Sequence, residues 1–225
     1  MRVLIAPDSF KGTIGAAEAA ERLADGWRAV RPDDDVRRLG LADGGEAAAA
    51  VLAPTDPGAV TLSARVPDPV GRVRDARWVL LGDGTAVVEL AEASGLPLLE
   101  EPDPLGAHTA GFGALVRAAL AHPGTRRIAA TLGGSATTDG GSGALVALGA
   151  VFRDDAGVPL PLGGGALTAL AEADLTGLAA PPPGGVVCLT DVDTPLLGPT
   201  GAAHRFGPQK GADPAAVAVL DAGLT

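Results

Sequence analysis

The chain contains a single cysteine and only two lysines, although 17 of its 225 residues are lysine or arginine. One cysteine, Cys188, can form no intrachain disulfide and offers no paired ligand spacing for a metal. It lies in the apolar run at residues 186–189, so we predict a small side chain in a buried strand. The arginines are scattered and the formal net charge is -10, which argues against a surface for nucleic acid or an anionic membrane.

Long hydrophobic runs are also absent. No apolar stretch is long enough to span a bilayer, and the apolar run at residues 3–6 is too short for the core of a secretion signal. We therefore expect a cytoplasmic protein without a membrane partner. A hydrophobic content of 47% over 225 residues suffices for one large core or two small ones.

Both lysines lie in short glycine-containing loops, Lys11 in DSFKGT at residues 8–13 and Lys210 in FGPQKG at residues 206–211. An ammonium on a flexible stem can follow a moving phosphoryl group, whereas a guanidinium prefers a fixed planar partner. Both lysines are therefore candidates for binding an anion. The alternative is that an arginine-rich composition leaves two lysines by chance.

Strand-like apolar segments alternate with alanine-rich helical segments, which is typical of an α/β fold with ligand loops at strand ends. The order strand, loop, helix occurs at residues 3–30, where we predict a buried strand at residues 3–6, and again at residues 36–52. Further on, we predict strands at residues 127–132 and 186–189 and helices at residues 111–121, 143–148 and 215–224, the last capped by Asp213.

The middle of the chain differs, because three strands follow one another at residues 60–66, 72–81 and 85–91. The last two are joined by a Gly-Asp-Gly hairpin turn, and we predict a separate small sheet here. Pro67-Asp68-Pro69 resists regular structure and is the expected domain boundary. We divide the chain there into residues 1–67 and 68–225.

The loop GGSATTDGG at residues 133–141 stands between a predicted strand and a predicted helix. Glycines let the backbone approach a ligand closely, and hydroxyls and free helix N–H groups bind anions. We interpret the loop as a cradle for phosphate or carboxylate. Glycine-rich turns also precede helices for steric reasons alone, so the loop by itself does not establish a ligand.

Asp191 and Asp193 follow the strand predicted at residues 186–189, and strand alternation would point both to one side. Mg²⁺ in nucleotide enzymes is held by one or two carboxylates plus phosphates, and a nearby acid can accept the proton of an attacking hydroxyl. The residues leave open which aspartate does which. A turn without any ligand is the alternative.

Four segments stand in the order APDSFKGT (6–13), ADGGE (42–46), GGSAT (133–137) and FGPQKGA (206–212), accompanied by ASGL (93–96) and DVD (191–193). Together they resemble the bacterial class I glycerate kinases, and the resemblance extends over the whole chain. No single motif would suffice, but the combination is highly specific.

The resemblance implies transfer of the γ-phosphoryl group of ATP to D-glycerate with Mg²⁺, giving 2-phosphoglycerate, with 3-phosphoglycerate as the other regiochemistry. It implies an α/β fold of two domains, one Rossmann-like and discontinuous, the other inserted into it, with the active site in the cleft between them. Lys11, Asp191 and Lys210 would act in catalysis, and Asp193 would hold Mg²⁺. Substrate or phosphate would be bound by Asp8, Ser9, Asp43, Glu46, Gly133, Gly134, Ser135, Thr137 and Gln209.

The chain departs from the family pattern at three polar or glycine positions. Ala47 stands where a glycine usually closes ADGGEG, and Thr138 and Thr194 stand where asparagine is usual. A threonine lacks the paired donor and acceptor of an amide, which puts substrate preference in doubt. Family members also run past the position of Thr225, so we expect a truncated or split chain. A second polypeptide would complete its fold, or the chain would form a homodimer.

Two other functions stay open. A galactokinase-like kinase would share the Gly-Ser loop at residues 133–136, but it leaves DSFKGT and FGPQKGA unexplained. A fragment that binds glycerate or nucleotide without transferring phosphate is the other alternative. Glycerate-dependent ADP release would exclude the fragment.

Overall fold

The computed structural model describes residues 1–10, 13–45 and 47–225, so Lys11 and Glu46 lie outside the described residues. The first unit is strand β1 (Arg2–Ile5), helix α1 (Ala16–Val30) and strand β2 (Asp35–Arg38). The two strands pair in parallel, as the strand–loop–helix pattern predicts. Helix α1 buries one alanine face, made of Ala16, Ala19, Ala20 and Ala24.

The predicted burial of β1 is wrong on one face. Leu4 is 63% exposed, because the strand alternates exposed and partly buried residues. Only β2 pairs with β1 among the described residues. A parallel strand is normally covered on both faces, and here helix α1 packs against one face of β1.

Helix α2 (Ala48–Leu52) follows, and then strands β3 (Val60–Pro67), β4 (Val73–Leu80) and β5 (Thr85–Glu89). Strand β3 pairs antiparallel with β4, and β4 pairs antiparallel with β5. The turn between β3 and β4 is held by Asp68, whose Oδ1 accepts from the Val70 and Arg72 amides at 2.9 Å each. The division into domains at residue 67 stays a prediction.

The prediction that β3 to β5 form a separate small sheet is wrong. β5 pairs in parallel with β6 (Arg127–Thr131), and β6 pairs in parallel with β9 (Val186–Leu189), so one mixed sheet has the order β3-β4-β5-β6-β9. The turn signals along the chain reveal the hairpins but not this pairing, because β5 and β6 are separated by two helices. The α/β class itself is confirmed.

Those helices are α3 (Ala91–Ser94) and α4 (Ala110–Ala121), and α5 (Ser142–Ala147) follows β6. Helix α4 packs on one face of the sheet, where the fully buried Leu115 and Ile128 lie in the main core. Truncating such a leucine to alanine typically costs about 2–5 kcal/mol. α4 and α5 approach so closely at Gly113 that an added methyl group would collide with the Ala144 backbone.

Beyond α5, strands β7 (Val151–Arg153) and β8 (Glu172–Asp174) form a small antiparallel pair. The chain closes with α6 (Ala202–Phe206), a 3-10 turn at Pro208–Lys210 and α7 (Pro214–Leu224). The predicted cap of α7 is confirmed, because Asp213 Oδ1 accepts from the Ala216 amide at 2.8 Å. Buried Val217 and Leu220 pack α7 into a second, smaller core with Ala203 and Ala212.

Among the described strands, β9 lies at one edge of the large sheet, and its predicted burial is wrong. Cys188 is exposed, and Val186 and Val187 are 48% and 47% exposed. An apolar run predicts a strand well but cannot show whether other elements cover it. In the part of the chain that the structure describes, no helix is both long and apolar enough to cross a membrane.

Candidate functional site at the carboxyl ends of the strands

The loops after β1 and β2 lie side by side, because parallel strands bring their carboxyl ends to one edge. The Leu41 amide donates to the Pro7 carbonyl at 2.9 Å and continues the strand pairing past β1 and β2. Each following aspartate folds its own turn: Asp8 Oδ1 accepts from the Ser9 amide at 2.6 Å, and Asp43 Oδ1 accepts from the Gly45 amide at 2.9 Å. Asp8 and Asp43 therefore follow adjacent strand ends.

The loop after β2 packs directly against the loops after β6 and β9. A methyl group on Gly133 would lie 2.5 Å from the Gly45 Cα, so glycine is required where these two backbones meet. A methyl group on Gly44 would lie 3.6 Å from the Thr190 nitrogen, just before Asp191. Three segments far apart in the sequence thus meet at one edge of the fold, as the predicted site requires.

The glycine-rich loop is held by its own hydroxyls. Ser135 Oγ accepts from the Thr137 amide at 3.0 Å and lies 2.9 Å from Thr137 Oγ1. On the other side the loop pairs with the ASGL segment, where the Leu96 amide donates to the Gly134 carbonyl at 2.9 Å and the Ala136 amide donates to the Ser94 carbonyl at 2.9 Å. The loop is therefore a fixed structure.

Lys210 is buried beside this loop, with only 8% of its surface exposed. Its Nζ donates to the Thr137 carbonyl at 2.5 Å. Burial lowers the pKa of Lys210 from 10.5 to about 8, although the nearby Asp139 carboxylate acts in the opposite direction. The structure thus brings Lys210 together with Ser135 and Thr137.

Asp139 is a central residue of this region that the sequence reasoning did not nominate. It is 1% exposed, and its Oδ2 accepts from the Thr109 amide at 2.8 Å, the Thr109 hydroxyl at 2.7 Å and the Gly143 amide at 3.2 Å. Its Oδ1 accepts from the Gly141 amide at 3.1 Å. Asp139 joins the beginnings of α4 and α5, and its place just before a predicted helix was the available signal.

A cleft of about 760 Å³ lies next to these loops, between the N-terminal segment and one face of the large sheet. Ser9 and Phe10 line the cleft, and so does Arg77 of β4, whose guanidinium lies 3.2 Å from Glu92 Oε1. The volume is typical of small-molecule sites. Of the nominated residues in the described part of the chain, Ser9 is the one that lines this cleft.

Glu89 also lines the cleft, and the sequence reasoning did not nominate it as a site residue. It ends β5 and is 6% exposed, and its carboxylate accepts from the Ala49 amide at 2.6 Å and the Ala47 amide at 3.3 Å. The strand predicted at residues 85–91 contains Glu89, so the signal that nominates Asp191, a carboxylate after a strand, does not apply to Glu89. Glu89 attaches the start of α2 to the sheet.

Asp191, Asp193 and Gln209 are all exposed. The described residues contain no group of three or more His, Cys, Asp or Glu side chains arranged to hold a metal ion. Two open carboxylates after a strand nevertheless fit an ion that takes most of its other ligands from phosphates and water. The donor set therefore suits a Mg²⁺–nucleotide complex.

Two of the three departures from the family pattern leave unpaired hydroxyls. Thr138 Oγ1 and Thr194 Oγ1 are buried, and neither has a hydrogen-bond partner within the described ranges. The third departure, Ala47, has φ 70°, the left-handed region that favours glycine. All three substitutions thus leave a local mismatch.

The fold and the site define an α/β protein whose polar, glycine-rich loops meet at the carboxyl ends of its strands, the usual location of ligand sites in this class. A model of the glycerate kinase family matches residues 3–225. The chain belongs to the glycerate kinase family.

Individual relatives agree with this assignment. The chain is 44% identical to a Bacillus subtilis glycerate kinase over 98% of its own length and 58% of that protein. It is 40% identical to an Escherichia coli glycerate 2-kinase over 100% of its own length and 60% of that protein. The crystal structure of a Salmonella typhimurium LT2 protein assigned as glycerate kinase 2 superposes with a TM-score of 0.83 at 39% identity, covering 100% of this chain and 60% of that one. The chain thus spans about three fifths of these relatives, and the galactokinase-like alternative has no support among them.

Proposed function

We propose that the protein transfers the γ-phosphoryl group of ATP to the 2-hydroxyl of D-glycerate. The observation that carries the proposal is the family match over residues 3–225, in a fold that brings the family's loops to one edge. The relatives named above are a glycerate kinase and a glycerate 2-kinase. Because the chain spans 58–60% of their length, the activity is assigned to it as a proposal.

The glycine-rich loop would hold a phosphate or carboxylate group of a substrate. Gly133 and Gly134 let the backbone come close to the anion, and Ser135 and Thr137 add hydroxyl donors. Lys11, which stands outside the described residues, would neutralise charge that develops on the transferred group. The ordered loop would position the anion, and the ammonium at the end of a long lysine side chain would follow the phosphoryl group during transfer.

The reaction forms a bond between the glycerate hydroxyl oxygen and the γ-phosphorus and breaks the bond from that phosphorus to the oxygen that leaves with ADP. The hydroxyl proton would pass to Asp191, which follows the β9 end that packs on Gly44. Asp8, Ser9, Asp43, Glu46 and Gln209 would contact the substrates around this point.

Asp193 would hold Mg²⁺, and its exposure leaves room for phosphate and water ligands. When bound, the ion would reduce the negative charge of the ATP phosphates. We also place the reaction in the cytoplasm, because the phosphoryl donor is ATP. Assembly with a second copy or another polypeptide stays a prediction, which sedimentation of the purified protein would test.

The proposal is tested by ADP release from MgATP, measured with and without D-glycerate on a sample whose folding is verified by circular dichroism. We expect release that saturates with D-glycerate and falls at least about a hundredfold in Asp191→Asn, since loss of a general base typically costs 10²–10⁴-fold. Saturable ligand binding by a folded protein without ADP release would instead support the non-catalytic alternative.

A further inference from the structure

Lys210 occupies an unexpected position for a residue nominated to touch a phosphoryl group. Its side chain is almost fully buried, and its Nζ donates to a backbone carbonyl of the glycine-rich loop, that of Thr137. A hydrogen bond from a charged donor is stronger than one between neutral groups. One of the three N–H groups of the ammonium is therefore bound inside the protein, and the burial of the side chain limits access to the other two.

The residue on the other side of this bond is restrained through all its polar groups. The Thr137 amide and hydroxyl both lie within hydrogen-bond distance of Ser135 Oγ, at 3.0 and 2.9 Å. Its carbonyl accepts from Lys210. The peptide groups around Thr137 thus depend on one serine and one lysine from a segment more than 70 residues away.

Lys210 also connects two parts of the fold. It ends the 3-10 turn between α6 and α7, whereas the loop that it contacts follows β6. The far end of that loop is fixed independently by Asp139, through its bonds to Thr109, Gly141 and Gly143. Ser135 Oγ also donates to the Thr137 carbonyl, at 3.3 Å, and Lys210 adds to this carbonyl a contact from outside the loop.

We infer that Lys210 is a positioning residue, which fixes the backbone of residues 135–137 from beneath and does not touch the substrates. The inference rests on the proposed function, because it concerns the loop assigned there to anion binding. It leaves Lys11 as the lysine that contacts the phosphoryl group.

The first test uses the fact that the chain has two lysines, whose acylation can be followed separately by mass spectrometry. In the native protein we expect Lys210 to react at least about tenfold more slowly than in urea-unfolded protein, with no further change on adding MgADP and D-glycerate. Rapid native labelling that these two ligands suppress would overturn the inference. Labelling needs neither turnover nor a variant.

The second test is hydrogen exchange of the amides in residues 133–141. Lys210→Met keeps an unbranched side chain but removes the donor, and it should speed exchange in this loop about tenfold to a hundredfold. Lys210→Arg should return exchange toward the wild-type rate, and Arg205→Met, which removes an exposed cation from α6, should leave it unchanged. A folded Lys210→Met protein with wild-type exchange in the loop would contradict the positioning role.

Kinetics then separate this inference from the proposed function. A positioning role predicts that Lys210→Met raises KM for MgATP or D-glycerate about tenfold or more while kcat falls less, because binding geometry is lost. A fall in kcat alone would assign Lys210 to the transition state and overturn the inference. If the wild type shows no turnover, the proposed function fails, while labelling and exchange still decide the role of Lys210.

Discussion

Ala47→Gly should stabilise the protein, although glycine usually weakens it. Ala47 has φ 70° and ψ 9°, and it is the single non-glycine residue with positive φ in the described part of the chain. For alanine this conformation costs about 1–2 kcal/mol, because Cβ crowds the following carbonyl. Glycine removes that strain but adds about 0.4–1 kcal/mol of freedom to the unfolded chain.

The net expected gain is about 0.5–1 kcal/mol in the free energy of unfolding. For a chain of this size, 1 kcal/mol corresponds to about 2–4 °C in Tm. Urea unfolding followed by tryptophan fluorescence would measure the change, because Trp78 is 3% exposed and reports on the main core. The hydrogen bond from the Ala47 amide to the Glu89 carboxylate uses only the backbone at position 47, so it is retained in the variant.

The matched control is Ala17→Gly, the same substitution at an exposed position in α1. There the backbone is right-handed and glycine should cost about 0.5–1 kcal/mol. If Ala47→Gly lowers the free energy of unfolding by as much as Ala17→Gly does, backbone strain at Ala47 is not what limits stability there.

Three further predictions concern Asp139, Lys210 and Ser135. Asp139→Asn replaces a carboxylate that accepts from four donors with an amide, which is a weaker acceptor and carries an NH₂ group. We expect urea unfolding to show a decrease of about 2–4 kcal/mol in the free energy of unfolding. A decrease under about 1 kcal/mol would contradict the importance of these four hydrogen bonds. Because burial lowers the pKa of Lys210 to about 8, the folded state releases its proton before the unfolded state does, and stability rises between about pH 8 and pH 10.5. Relative to Lys210→Met, the wild type should therefore gain up to about 3 kcal/mol over this range, and parallel pH profiles would refute that assignment. Ser135→Ala removes the acceptor of the Thr137 amide and should raise KM about tenfold with a folded protein, whereas an unchanged KM would remove Ser135 from the anion site.

Local patterns in the sequence predict the individual elements well. The hairpin between β4 and β5, the helices α1 and α4 and the cap at Asp213 all depend on residues within one or two turns of each other. The parallel pairing of β5 with β6 depends instead on segments about 40 residues apart, which no local signal encodes. The exposure of Cys188 was missed for a similar reason, since an apolar run does not reveal its neighbours.

The site residues also fall into two groups, those that local patterns identify and those whose contacts only packing reveals. Glycine-rich and acidic loops after strands identify Asp43, Gly133 and Ser135 as residues at one edge, and the structure places their loops together. Their partners come from packing: Glu89 attaches α2 to the sheet, and Lys210 lies under the loop instead of in an open cleft. Charge and spacing nominate candidates, but burial decides what each one can touch.

Phosphorus and carbon NMR of the products formed by the folded chain from MgATP and D-glycerate would test the central claim most directly. We expect ADP and 2-phosphoglycerate in equal amounts, with no ADP formed when D-glycerate is omitted. A folded protein that yields no phosphoglycerate, or that releases ADP equally without D-glycerate, would contradict it.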